Sequence, residues 1–172
     1  MTQKNIVLIG FMGAGKSLVS RRLEVLLKKE RVSTDELIEK KEGNPVAEIF
    51  ERQGEDYFRG LERKTVQEIS KKKNLVIDCG GGIVLQEENI RDLKKNGTLF
   101  YLKTSPEIVY KRLKTQTNRP LLKVGDPLQR IKELLNQREK FYAQADITID
   151  TDRHTIEDTT QEILKKLNDR NR

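Results

Sequence analysis

Short apolar runs alternate along the chain with longer segments whose apolar residues recur at helical spacing. Five of these runs have the length and composition of β-strands, and they cover residues 5–10, 30–33, 75–79, 98–102 and 146–150. The third contains Leu75, Val76 and Ile77 without polar alternation, which is typical of a central strand buried on both faces. Strands separated by helices predict a three-layer α/β fold, in which helices flank a five-stranded parallel sheet and ligands bind at the carboxyl ends of the strands.

Prolines mark the starts of several predicted helices. Pro45, Pro106 and Pro127 follow Asn, Ser and Asp respectively, and the fixed φ of proline suits the first helical position. No internal repeat or interdomain linker interrupts the pattern. The 172 residues therefore predict a single domain.

The segment Gly10–Ser17 lies between the first predicted strand and a helical pattern, and it fits the phosphate-loop motif G-x-x-x-x-G-K-[ST]. Its glycines let backbone N–H groups surround phosphates, its lysine can reach the β- and γ-phosphates, and its serine hydroxyl can ligate Mg²⁺. A helix that starts directly behind the loop adds its dipole to the anion site. The residues predicted to bind ATP here are Gly13, Ala14, Gly15, Lys16, Ser17 and Leu18.

Composition narrows the class of partner. The net charge of +7 would suit either nucleic acid or a small anion such as ATP, but 5% aromatic residues without tryptophan argue against a nucleic-acid surface. Cys79 is the only cysteine, which excludes an internal disulfide and fits a reducing compartment. No apolar run approaches the length of a membrane span. We therefore expect a cytoplasmic, monomeric enzyme without membrane or nucleic-acid partners.

A phosphate loop does not identify the phosphate acceptor, so the other motifs must do so. The guanine-reading segment Asn-Lys-x-Asp does not occur. Five other segments do occur, and in their order and spacing the chain resembles the shikimate kinase family from about Asn5 to Ile149. They are Ser33-Thr34-Asp35, Phe58-Arg59, Gly80-Gly81-Gly82, the Thr-Asn-Arg-Pro-Leu-Leu stretch at 117–122, and Gln137-Arg138.

The resemblance implies a fold and a reaction. The fold is that of the phosphate-loop kinases related to nucleoside monophosphate kinases, with strand order 2-3-1-4-5. The reaction transfers the γ-phosphate of ATP to the 3-hydroxyl of shikimate, on the chorismate route to aromatic amino acids. The acceptor-binding segment would lie at about 34–62, and the lid that closes over ATP at about 114–125.

The resemblance also implies roles for individual residues. Arg59 and Arg138 would bind the shikimate carboxylate, because planar guanidinium groups do so bidentately. Asp35 would position the acceptor hydroxyl beside Gly80, Gly81 and Gly82, while Lys16 and Arg119 would neutralise phosphate charge and Arg112 would stack on adenine. Structural alternatives stay open for two of them: Arg59 could form helix ion pairs with Asp56 or Glu62, and Asp35 could cap a helix.

The chain departs from the family pattern at the expected metal site. An acid expected at the end of the second strand is replaced by Ser33, and Asp78 stands at the end of the third strand, where the family usually has a small or hydroxylated residue. We hypothesise that the negative charge that supports Mg²⁺ has moved to Asp78, which would act together with Ser17. The alternative is that Asp78 is a buried structural acid with another partner.

A second departure affects the adenine site. The family often has a proline after the fifth strand, whereas this chain has Arg153 and His154, and we assign the base contact to Arg153. Two other functions stay open: a kinase for another hydroxy acid such as gluconate, and a nucleotide-binding regulatory module that has lost turnover. The missing acid at Ser33 is the feature that supports the regulatory module.

Overall fold

The computed structural model describes residues 4–116 and 125–170. Within these residues a parallel sheet has the strand order β2-β3-β1-β4-β5, which confirms the predicted fold class and topology. The strands are β1 (Asn5–Ile9), β2 (Glu30–Ser33), β3 (Leu75–Asp78), β4 (Gly97–Lys103) and β5 (Ile147–Asp150).

Helices connect the strands and cover both faces of the sheet. They are α1 (Lys16–Leu27), α2 (Thr34–Glu42), α3 (Val46–Gln53), α4 (Glu55–Ile69), α5 (Glu87–Asn96), α6 (Pro106–Leu113), α7 (Pro127–Tyr142) and α8 (Ile156–Arg170), with a 3-10 turn at Ile83–Leu85. Pro106 and Pro127 occupy first helical positions as predicted, whereas Pro45 is the N-cap and α3 begins one residue later. None of the helices in the described ranges is both long and apolar enough to cross a membrane.

The central strand β1 divides the core into two apolar clusters. Val7 and Ile9 pack into the cluster on one face of the sheet, with side chains from α4, α5, α6 and α7. Ile6 and Leu8 pack into the cluster on the other face, with side chains from α1 and α8. Because successive side chains of a strand point to opposite faces, an apolar run buried throughout is what a middle layer requires.

The carboxyl ends of three adjacent strands place the predicted site residues side by side. Ser33 pairs in register with Asp78 across β2 and β3, and Asp78 pairs with Leu8 across β3 and β1. The phosphate loop follows β1 at this same edge. The sheet therefore brings the phosphate loop, Ser33 and Asp78 into one region.

Candidate active site

The phosphate loop has the backbone that its glycines predict. Gly13 and Gly15 adopt left-handed φ values of 79° and 90°, and Gly15 is the N-cap of α1, which begins at Lys16. Side chains rarely adopt such φ values, so the glycines let the loop turn tightly before the helix. The Lys16 ammonium is buried and donates hydrogen bonds to the carbonyl oxygens of Gly10 and Phe11, at 2.8 and 2.9 Å.

A cavity of about 650 Å³ opens in front of this loop. It is lined by most of the residues predicted to bind nucleotide, metal or acceptor, namely Gly13, Gly15, Lys16, Ser17, Leu18, Asp35, Asp78, Gly80, Gly81 and Arg112. Ala14 is not among the lining residues, because its side chain packs into the apolar cluster with Ile6 and Leu8. The sheet edge and the loop therefore enclose a space of the size that small-molecule sites occupy.

The end of the cavity where adenine is predicted to bind is formed by α6 and the start of α8. Arg112 lines the cavity and donates to the carbonyl oxygens of Gly13 and Thr151, at 3.0 and 3.2 Å. His154 also lines the cavity, with Nδ1 3.5 Å from a carboxylate oxygen of Glu162, whereas Arg153 is exposed and is not a lining residue. Of the two residues that could replace the family's proline, His154 therefore lies nearer to the cavity.

Asp35 lines the cavity in the first turn of α2. Burial raises the pKa of its carboxyl group, and the nearby Lys16 ammonium opposes that rise. The N-cap of α2 is Ser33, whose hydroxyl oxygen accepts a hydrogen bond from the Glu36 backbone N–H at 3.3 Å. The alternative in which Asp35 caps this helix is therefore wrong, and its carboxylate is left to act in the cavity.

The glycines behind β3 make room for acceptor-site side chains. A Cβ atom on Gly80 would lie 2.6 Å from Oδ1 of Asp35, and one on Gly82 would overlap the guanidinium of Arg59. Gly81 is less crowded, since a Cβ atom there would lie 3.8 Å from Nη1 of Arg138. The triple glycine thus brings the backbone against all three side chains that were predicted to bind the acceptor.

Arg59 is held by two carboxylates on its own helix. Its Nη1 lies 2.6 Å from Glu62 and its Nη2 lies 2.9 Å from Glu55. Helix ion pairing was expected from Asp56 or Glu62, and of these Glu62 makes the contact. The same arginine also faces Gly82, so pairing on the helix and a role beside the glycines are compatible.

Glu62 is buried beside Arg59, which the sequence did not reveal. Its side chain is 1% exposed, and Oε1 has no hydrogen-bond partner within the described residues. Burial raises the pKa of Glu62 to about 7, the Arg59 and Arg138 guanidinium groups oppose the rise, and the Asp35 carboxylate adds to it. These electrostatic effects place Glu62 among the charges of the acceptor site.

Arg138 approaches the glycines from α7. Its guanidinium lies over the ring of Phe11, with Cζ 5.5 Å from the ring centroid. Close by, the buried Tyr142 donates a hydrogen bond from its hydroxyl to the carbonyl oxygen of Gly81 at 2.7 Å and stacks on Tyr101. The helix that carries Arg138 is therefore tied directly to the glycine backbone.

Asp78 is buried at the end of β3 and has a basic partner. Its Oδ2 lies 2.9 Å from Nη2 of Arg31, and both side chains are less than a tenth exposed. The Ser20 hydroxyl is 3.4 Å from the same oxygen. Asp78 therefore has the structural partner that one interpretation predicted, and it also lines the cavity beside Ser17 as the metal hypothesis requires.

Two predicted features complete the description of the site. Arg119 and the central part of the predicted lid, residues 117–124, lie outside the described residues. Cys79 is buried, and burial raises the pKa of its thiol well above the usual value. A protonated, buried thiol is a poor nucleophile, in agreement with phosphoryl transfer that needs no covalent enzyme intermediate.

Comparison with known proteins identifies the family. The model of the shikimate kinase family matches residues 12–168. A shikimate kinase of Caldanaerobacter subterraneus subsp. tengcongensis is 48% identical over 94% of this chain and 95% of that protein, and one of Thermodesulfovibrio yellowstonii is 47% identical over 95% and 94%. The similarity therefore spans the fold and both sides of the cavity.

Solved structures agree with the sequence comparison. Shikimate kinase from Acinetobacter baumannii in complex with shikimate has a TM-score of 0.92 and 39% identity, covering 98% of this chain and 95% of that chain. A gluconokinase from Sinorhizobium meliloti has a TM-score of 0.62 at 15% identity, covering 96% and 92%, which shows a shared fold alone. On the family match and on these relatives, the chain belongs to the shikimate kinase family.

Proposed function

We propose that the protein transfers the γ-phosphate of ATP to the 3-hydroxyl of shikimate, giving shikimate 3-phosphate for aromatic amino acid biosynthesis. The observation that carries this proposal is the convergence of Asp35, Arg59 and Arg138 on the glycines next to the phosphate loop. Two arginines and one carboxylate match an acceptor that has one carboxylate and several hydroxyls. The family relationship, including a relative solved with shikimate, supports the same acceptor.

Acceptor binding follows from the charges of these groups. Arg59 and Arg138 bind the carboxylate, and the ion pairs of Arg59 keep its guanidinium against the glycines in a fixed orientation. Asp35 accepts hydrogen bonds from acceptor hydroxyls and orients the one that attacks. In phosphoryl transfer such positioning, more than strong proton abstraction, lowers the barrier.

Phosphate binding is assigned to the loop and the groups around it. The N-terminus of α1 and Lys16 stabilise negative charge on the β- and γ-phosphates. Arg119 would add a third positive charge from the lid and help exclude water, which is a competing acceptor. Transfer is direct, so the attacking hydroxyl replaces the ADP oxygen on phosphorus and its proton leaves through Asp35 or solvent.

The residues beside the loop fit Mg²⁺. No group of three His, Cys, Asp or Glu residues that could hold a metal occurs within 4–116 and 125–170, so phosphate oxygens and waters would supply most ligands, as is usual for this ion. The Ser17 hydroxyl would ligate the ion directly and Asp78 would bind its water shell. Ser33 and Asp78 pair in register across β2 and β3. This pairing supports the proposal that the acidic group has moved from the end of β2 to the end of β3. When bound, the ion would neutralise charge on the β- and γ-phosphates.

The adenine contacts and the cellular setting complete the proposal. Arg112 and His154 flank the base end of the cavity, and the exposed Arg153 is the less favoured of the two residues after β5. We propose a monomeric, cytoplasmic enzyme with ATP and shikimate as its small-molecule partners. The single buried cysteine is compatible with that compartment.

A coupled assay of ATP consumption tests the function. The protein is assayed with shikimate, with gluconate and without acceptor, beside a measurement of nucleotide binding. We expect turnover that depends on shikimate. Turnover that depends on gluconate would replace the acceptor assignment, and nucleotide binding without turnover would favour the regulatory module.

A further inference from the structure

Arg31 is a buried cation near the phosphate loop. It is not among the residues proposed to bind the nucleotide or the acceptor. It lies on β2, two residues before Ser33, and its side chain is 8% exposed. Its guanidinium contacts Ser20 on α1, Glu36 on α2 and Asp78 at the end of β3. Because a charge with so little contact with water depends on its partners, these three contacts fix the position of the guanidinium.

The contact with Asp78 is one-sided. Nη2 of Arg31 donates to Oδ2 at 2.9 Å, and the Ser20 hydroxyl lies near the same oxygen. The other carboxylate oxygen, Oδ1, makes neither contact, while Asp78 as a whole lines the cavity. A planar guanidinium held at several points restricts rotation of the carboxylate, and Oδ1 is the oxygen that remains for a ligand.

A second set of contacts links Arg31 to the phosphate loop. Its Nε donates to the Ser20 hydroxyl oxygen at 2.8 Å, and that hydroxyl donates to the Ser17 carbonyl oxygen at 2.9 Å. One guanidinium therefore connects Asp78 on the sheet with the backbone of Ser17 on α1. These two residues are the ones assigned to the metal ion.

Arg31 also contacts a second carboxylate. Arg31 also lies 3.0 Å from Glu36, so its positive charge is shared between two carboxylates. Arg21 lies farther away, at 3.7 Å from Glu36, and is largely exposed, so water screens it. Arg31 is thus the buried cation that contacts Asp78, and it also contacts the exposed Glu36.

We propose that Arg31 is a positioning residue for the metal site, which orients the Asp78 carboxylate and is linked through Ser20 to the backbone of Ser17. The proposal rests on the metal role proposed for Asp78. Arg31 itself contacts neither metal nor substrate. Partners that orient metal-binding groups in this way typically change metal affinity by 10- to 100-fold when they are removed.

The test measures how binding of ADP depends on Mg²⁺ concentration, by titration calorimetry of the full chain. Arg31→Met keeps most of the apolar stem but removes the guanidinium. We expect it to raise the half-saturating Mg²⁺ concentration by about tenfold, with metal-free ADP affinity changed by less than about twofold. Arg31→Lys keeps the charge but not the planar fork, so its effect should be smaller but in the same direction.

Arg63 provides a matched control. It forms an ion pair with Asp92 at 2.6 Å and also contacts Asn89, in a cluster between α4 and α5 that is separate from the cavity lining. Arg63→Met should lower thermal stability while leaving the Mg²⁺ dependence at the parental value. If Arg31→Met behaves like this control, or binds Mg²⁺ more tightly than the parent, the proposal is wrong.

Two further measurements separate the possible failures. If Arg31→Met does not fold, parental Mg²⁺ dependence in Arg31→Lys overturns the proposal and a raised requirement supports it. Asp78→Asn tests the underlying metal role: parental Mg²⁺ dependence in that variant removes the role of Asp78 and this inference with it. A raised Mg²⁺ requirement in Asp78→Asn but not in Arg31→Met overturns the role of Arg31 alone. The acceptor is tested independently, because ADP binding does not involve shikimate.

Discussion

Two largely buried arginine–carboxylate pairs lie beside the candidate site, and the partner with the proposed ligand-binding role is the arginine in one pair and the carboxylate in the other. In the Arg59–Glu62 pair, at 2.6 Å, the arginine faces the glycines and the carboxylate holds it in place. In the Arg31–Asp78 pair, at 2.9 Å, the carboxylate lines the cavity and the arginine holds it. The comparison teaches that the geometry of an ion pair does not tell which partner faces a ligand, whereas the surroundings of each partner do: Arg59 lies against Gly82, and Asp78 lines the cavity.

The largest effect is expected from a substitution of Arg59, the arginine of the first pair. Arg59→Met removes a group proposed to bind the carboxylate and leaves Glu62 buried without its partner, which typically lowers the free energy of unfolding by about 3–5 kcal/mol. We expect kcat/KM for shikimate to fall by about 10²- to 10³-fold, while KM for ATP changes little. Steady-state kinetics with each substrate varied in turn checks this split.

Arg52 offers a control on the helix just before α4. It pairs with Glu48 at 2.6 Å but is largely exposed, so Arg52→Met should leave both kinetic constants near the parental values. Equal losses of kcat/KM for shikimate and for ATP in Arg59→Met would indicate general disruption and would contradict the role in acceptor binding.

Glu62 should make the stability of the protein depend on pH. Its pKa rises from 4.5 to about 7 in the folded protein, so between these pH values the native state binds a proton that the unfolded state has lost. The free energy of unfolding therefore falls as pH rises through this window, by about 3 kcal/mol at most. Below pH 4.5 both states are protonated and above pH 7 both are ionised, so the contribution of Glu62 is then constant.

The substitution Glu62→Gln isolates this contribution, because the amide resembles the protonated acid. Urea unfolding of parent and variant is measured at several pH values from 4.5 to 8. The variant should gain stability relative to the parent as pH rises to about 7 and then stay level. A constant difference across the whole range would show that Glu62 does not carry the raised pKa.

The Arg31–Asp78 pair is tested by exchanging the residue types at positions 33 and 78. Asp78→Ser should lower kcat by about tenfold and raise the Mg²⁺ requirement. Adding Ser33→Asp should restore much of the activity, because the two positions are neighbours in register across β2 and β3. Turnover that keeps its parental Mg²⁺ dependence in Asp78→Ser would contradict the metal role of this acid.

The smallest effect is expected at Gly60, between Arg59 and Glu62 on the sequence. This glycine is inside α4, and a Cβ atom there would meet nothing within 4 Å. Gly60→Ala should therefore raise the free energy of unfolding by roughly 0.5–1 kcal/mol, with kcat/KM for shikimate unchanged. Thermal unfolding and steady-state kinetics check the two statements, and a loss of shikimate turnover would show that the helix needs its flexibility there.

Most of the fold was predictable because the three central strands, β1, β3 and β4, are buried almost throughout and apolar enough to be recognised alone. The predicted strand at 98–102 starts one residue early in the structure, at Gly97, and extends to Lys103. The strand predicted from Asp146 begins at Ile147, since the Asp146 side chain accepts a hydrogen bond from the Leu99 backbone N–H. Such end effects depend on contacts with other strands, which a single run of residues does not contain.

The site was predictable where a motif is continuous and less so where partners come from different elements. The phosphate loop could be recognised from eight successive residues, Gly10–Ser17. The pairing of Arg31 with Asp78 depends on the register of β2 and β3, and the burial of Glu62 depends on how α4 packs beside the glycines. Neither arrangement leaves a local pattern in the sequence, so only the helical contact of Glu62 with Arg59 could be expected in advance.

Gly80 and Gly82 have a consequence for how the protein can change over generations. Every single-nucleotide change in a glycine codon that alters the amino acid adds at least a Cβ atom, and at these positions that atom meets Asp35 or Arg59. The atoms met belong to the ends of these two side chains, so a substitution at either glycine would have to displace the Asp35 carboxylate or the Arg59 guanidinium from its place beside the glycines. A Cβ atom on Gly60 would meet no other atom within 4 Å, so a substitution there displaces no neighbour. Glycines of the same chain therefore differ in how much of the structure a substitution would disturb.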